Sequence, residues 1–119
     1  MTETYTREQL IEMFDEVVDF ELKYGILDSS GKKLKKGVVR EITGKDQIAA
    51  SNDNRVRSGN KVIEGFIYMT RVAYIEVDDN TYRPITFDEA AELKNSDINI
   101  ILKAMMTLAE EADFFFKEE

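Results

Sequence analysis

Lys32, Lys33, Lys35 and Lys36 form the densest run of one charge in the chain, and the chemistry they offer is electrostatic docking. Ammonium groups clustered beside a turn can meet an acidic partner surface, although charges at strand ends also serve simply to keep an exposed edge soluble. A second candidate group is apolar: Phe114, Phe115 and Phe116 follow one another directly before Lys117, Glu118 and Glu119. Successive helical residues point about 100° apart, so a core stripe takes one or two of these rings and leaves at least one over. The spare ring either folds over the N-terminal helix of the same chain or serves self-association or a partner. Both groups are therefore candidate partner-binding residues.

The carboxylates offer less. Glu110 with Glu111, or Asp78 with Asp79, could act as acid and base or hold a hard cation, but that work needs carboxyls in different environments facing one cleft. Sequence neighbours on a surface do not supply it. Asn52, Asp53 and Asn54, with Asp46 nearby, lack the alternating ligands, central Gly and closing Glu of a calcium loop. Gly25, Gly31 and Gly37 are evenly spaced and suit turns better than a phosphate cradle. With no cysteine and no histidine, the chain has no thiolate nucleophile, disulfide, zinc-ligand cluster or imidazole base. The residues read as a binding protein, not an enzyme, with no metal and no cofactor.

Composition sets the frame for these groups. A chain of 119 residues, 43% apolar and 34% charged, fits one folded domain over residues 1–119. Its 24 acidic against 16 basic side chains, a formal charge of −8, argue against nucleic acid as a partner. The N-terminus MTETYTREQL lacks the basic start and apolar run of a signal peptide, and no apolar stretch approaches the roughly 20 residues of a membrane span. The expectation is a cytoplasmic protein with no membrane partner.

The elements that must position the candidates follow from periodicity. Thr6 caps a short helix over 6–14, with Leu10, Met13 and Phe14 on one face. Val18, Phe20, Leu22 and Tyr24 alternate with Asp19, Glu21 and Lys23, the period of a half-buried strand. Turn residues Asp28 to Gly31 and the β-prone Val38, Val39 and Ile42 complete a hairpin over about 18–42. Thr43 opens a short helix, and 51–60 reads as an exposed polar loop. Residues 61–77 fit a helical face through Ile63, Phe66, Ile67, Ala73, Tyr74 and Val77, with Glu64, Tyr68 and Arg71 as its solvated stripe; their β-branched and aromatic content also suits strands. The helical reading is preferred. TFDE at 86–89 reads as a capping box for a short helix to about Lys94. Asn95, Ser96 and Asp97 then cap a long amphipathic helix through Ile98, Ile101, Met105, Leu108, Ala112 and Phe115. The expected fold is α+β: an N-terminal helix, one β-hairpin, then three to four helices, the last long and C-terminal.

Taken in order, these segments resemble a family of small phage-tail assembly proteins that accompany contractile tails and tail-derived injection systems. The likeness lies in "FELKYGILDSSGKKLKKGVVREITGKDQIAASNDNRV", at Phe20, Gly25, Asp28, Gly31, Gly37, Val39, Arg40, Asp46, Ile48, Arg55 and Val56. It continues at Arg71 and Val72 in "FIYMTRVAY" and at Leu93 and Asp97 in "LKNSDINIIL", covering roughly residues 18–108. The "TGKD" segment is also similar to that of tail assembly chaperones, which shield tail tube or tape-measure proteins before polymerisation. The lysine-crowded turn and "REITGKDQI", in place of a more alanine-rich segment, depart from the family pattern. The resemblance implies a chaperone-like binder of a tail tube, tape-measure or baseplate component, or alternatively a permanent subunit of the tail or baseplate. It implies residence in a bacterial host's cytoplasm or incorporation into a virion or injection particle; homo-oligomerisation through the C-terminal helix is expected from the phenylalanine run instead.

Overall fold

The computed structural model describes residues 3–54 and 61–113. Its elements run α1 (Arg7–Phe14), β1 (Val17–Leu27), β2 (Lys33–Arg40), α2 (Gly44–Asn52), α3 (Lys61–Val72), β3 (Ala73–Asp78), β4 (Thr81–Pro84), α4 (Phe87–Glu92) and α5 (Asn95–Asp113). Three helices start at a threonine for the same reason. Thr6, Thr43 and Thr86 each accept the backbone N–H three residues on, while Gln9, Asp46 and Glu89 return a bond to the threonine's own N–H.

The strands form one antiparallel sheet in the order β1-β2-β3-β4. Alternation divides its side chains between two faces. Phe20, Leu22, Ile26, Leu34, Val39, Ala73 and Ile75 meet Met69 of α3, Ala90 of α4, and Ile101, Ala104 and Leu108 of α5 in the main core. On the other face Val38, Tyr74 and Tyr82 meet Leu10 of α1, with Tyr5, Phe14 and Val17 packed around them. Gly37 is required where the two central strands meet: a Cβ there would collide with the Tyr74 carbonyl and with the ring of Phe20, which lies across it.

The expected architecture of one hairpin followed only by helices is overturned. Residues 61–77 are not one helix: α3 ends at Val72, and β3 begins at Ala73 and returns as β4, giving a second hairpin and a four-stranded sheet. The physical reason lies in Ala73, Tyr74 and Ile75, which are all buried because helices cover one face of the sheet and α1 the other. A strand covered on both faces has no polar alternation to distinguish it from a buried helix. The first hairpin also ends at Arg40, so Ile42 lies outside it. α5 begins at Asn95, but Asp97 does not cap it; the carboxylate is used elsewhere, as described below.

Candidate functional site

The lysines sit where a turn and a strand join. Asp28 builds that turn: its Oδ1 accepts from Ser30 N at 2.9 Å, Ser30 Oγ at 2.7 Å and Lys32 N at 2.9 Å, and Gly31 takes φ +89°. The Ser30 hydroxyl and the Lys32 and Ser30 N–H groups hold the Asp28 carboxyl below its ordinary range. Lys32, Lys33, Lys35 and Lys36 are all exposed, while Leu34 between them is buried in the main core.

They are accompanied by acidic side chains. Together with Leu34 they line an open groove of about 360 Å³ whose other residues are Glu21, Glu76, Asp78 and Asp79. Lys36 pairs in register with Glu21 across β1 and β2. A neighbouring groove of about 570 Å³ shares Glu21, Lys36, Glu76 and Asp79 and extends to Arg7, Asp19 and Tyr82. The uncovered part of the sheet face therefore carries a basic row between acidic rows. Asp78 and Asp79, weighed above as an acid and base, belong to this mixed surface. Phe114, Phe115 and Phe116 lie outside the described residues, as do the side chains of Glu110 and Glu111.

Two buried carboxylates explain why the sheet is held so. Asp97, fully buried in the first turn of α5, accepts from the backbone N–H groups of Lys23 (2.7 Å), Tyr24 (3.1 Å) and Gly25 (3.0 Å). These donors lie where the β1–β2 register breaks between Glu21 and Ile26, and converging there requires the φ of +86° that Gly25 adopts. Asp97 thus ties the lysine-bearing hairpin to α5.

Asp46 is the second. Its carboxylate receives Arg40 Nη1 at 2.7 Å and Nη2 at 3.0 Å, Arg71 Nε at 2.8 Å and Thr43 N at 2.8 Å. Arg40 also donates to the carbonyls of Glu41 and Arg71, both at 2.9 Å, and its guanidinium lies 4.3 Å from the Phe14 ring centre. Burial alone would push the Asp46 carboxyl up, but the Arg40 bonds, the Thr43 N–H and Arg71 outweigh it and hold the group well below the carboxylate range. Asp46 is committed to the two arginines, and one expectation is corrected: Arg71, placed on a solvated stripe, turns to Asp46 while its side chain stays part-exposed. Among the described residues, no group of three or more carboxylates is placed to hold a metal ion. No helix among them is long and apolar enough to cross a membrane.

In the sequence Asp46 stood beside a rejected calcium loop, Arg71 on a solvated stripe and Asp97 at a helix cap, and the partners of all three were not visible. The signal available was an Arg closing an apolar strand, followed by Thr43-x-x-Asp46, a capping box whose acidic member has a buried strand end beside it. Compared with family models, characterised proteins and solved structures, the chain matches none.

Proposed function

We propose that this chain is a non-enzymatic assembly protein of a phage tail or tail-derived injection system, a chaperone-like binder of a tail tube, tape-measure or baseplate component. The observation that supports the reading is how the residues carrying the resemblance combine. Arg40, Asp46 and Arg71 form one ion cluster, Gly25 and Asp97 share one hydrogen bond, and Gly37 and Phe20 share one close approach. Residues matched in scattered segments thus act in concert as determinants of one fold. Binding is the mode of action, through the lysine-bearing turn and strand and through the C-terminal residues Phe114 to Phe116, which also serve homo-oligomerisation. The protein works in the host cytoplasm without nucleic acid, cofactor or metal.

The test is to express the tagged chain with the tail operon, purify finished particles, and compare particle and lysate by mass spectrometry. A chaperone is captured with a tail component from the lysate and is absent from the particle. Stoichiometric presence in the particle makes it a permanent subunit, and capture with no tail component in either fraction sinks the assembly reading.

A further inference from the structure

The two edges of the sheet are treated differently. β4 is closed by the chain itself, since Tyr5 exchanges backbone hydrogen bonds of 2.8 and 2.7 Å with Tyr82. β1 runs for 11 residues at the opposite edge, and among the described residues no strand pairs with its outer side. Part of this edge is already used, because Asp97 takes the N–H groups of Lys23, Tyr24 and Gly25. Val17 to Leu22 remains.

Over that stretch the two faces differ in chemistry. On the helix-covered side, Val18 is half-buried beside the core residues Phe20 and Leu22, and Ile100 of α5 packs on the same cluster. On the open side, Asp19 and Glu21 are exposed, and the exposed Glu12 and Asp15 lie just before the strand. Arg7 pairs with Asp19 and Lys36 sits opposite Glu21, so Arg7 and Lys36 face a larger acidic group.

We propose that the edge of β1 from Val17 to Leu22 takes a fifth strand from a partner: an extended segment in which lysine or arginine alternates with apolar residues. Main-chain hydrogen bonds supply the affinity. The two-residue period of the added strand sets its basic side chains beside Asp19 and Glu21 and its apolar ones beside Val18. The inference deepens the assembly reading, on which the partner's being a tail component rests, but the edge is testable without that partner.

The probe is a short peptide alternating Lys and Val, titrated at low salt into the isotope-labelled full chain and followed by amide shifts. Shifts are expected along Val17–Leu22. Affinity should fall by about tenfold or more when alternate peptide nitrogens are methylated, because the main-chain donors are then lost. A similar fall is expected for the exposed double variant Asp19→Lys with Glu21→Lys, which reverses the charge the peptide meets. Equal binding of the methylated peptide or of a Glu–Val peptide overturns the proposal, as do shifts confined to another surface and failure to bind. Shifts along this edge that grow with protein concentration, without peptide, overturn it in favour of a second copy. If the peptide docks as stated but no tail component is captured from lysate, the edge stands and the assembly reading falls.

Discussion

The guanidinium of Arg40 and the carboxylate of Asp46 meet in a two-pronged contact of 2.7 and 3.0 Å, with both side chains almost wholly removed from water. Removing one member strands the other. Asp46→Ala is expected to destabilise the fold by roughly 3 to 5 kcal/mol, the range for leaving a buried charge unpaired. Adding Arg40→Met to that variant should recover part of the loss, since the stranded charge is gone. Urea unfolding of the wild type and both variants measures this; a double variant no more stable than Asp46→Ala would show that the stranded charge is not the cause.

Acid should unfold the protein through its paired carboxylates. The folded chain holds Asp46 below its ordinary value of 3.8, and Glu89, gripped by Arg83 at 2.8 and 2.7 Å, below its ordinary 4.5. The unfolded chain therefore binds these protons at higher pH than the native one, so the stability they confer is complete above about pH 5 and declines as pH falls below those ordinary values. Denaturation midpoints across this range should fall steadily on acidification, and an Asp46→Asn, Glu89→Gln variant should show a shallower decline. Parallel wild-type and variant slopes would contradict it.

The glycines should separate into required and dispensable ones. A Cβ at Gly25 would lie 2.7 Å from the Leu34 carbonyl oxygen on a residue whose φ is +86°, so Gly25→Ala is expected to cost about 1 to 3 kcal/mol. Gly37→Ala should cost at least as much, because the new Cβ would collide with the Tyr74 carbonyl of the adjacent strand as well as with the Phe20 ring. Gly44 has open space around its position at the start of α2, and Gly44→Ala should change stability by less than about 0.5 kcal/mol. Thermal melts of the three variants make the comparison.

Replacing Lys32, Lys33, Lys35 and Lys36 together with serine should leave stability nearly unchanged, since all four are exposed. Capture of a tail component should weaken and lose its salt dependence. Undiminished capture at low salt would remove these lysines from the binding surface.

Truncation after Ala112, which deletes the phenylalanine run, is expected to leave a folded chain of altered oligomeric state. Light scattering and a melt on both forms decide it: identical masses with a large loss of thermal stability would assign the rings to the core.

Much of the frame was legible because it is local. The capping threonines Thr6, Thr43 and Thr86, the alternation from Val18 to Leu22 and the Asp28 turn act within a few residues and are found where the sequence places them, whereas Tyr24, expected on the buried side of the strand, is exposed where the register breaks beyond Glu21. The Ala73–Asp78 strand was obscured because both of its faces are covered. The ties that organise the candidate surface were hidden for another reason. Asp97 to Lys23 and Asp46 to Arg71 join residues far apart in the chain, and nothing in the spacing of one partner announces the other. The charge balance of the lysine groove depends in the same way on β3 lying beside β2, which periodicity alone did not reveal.

The seam between β2 and β3 also shapes how the molecule comes together. Each hairpin closes a short loop, at Leu27 with Lys33 and at Asp78 with Thr81, whereas Val39 meets Ala73 only after the chain from Arg40 to Val72 has been gathered in. Closing that longer loop carries the larger entropic cost. Arg40 leaves β2 at this junction and Arg71 precedes β3, with Asp46 between them. The arginine–aspartate cluster therefore bridges the two ends of the loop that joins the hairpins, and its long-range contacts exist only while that loop is shut.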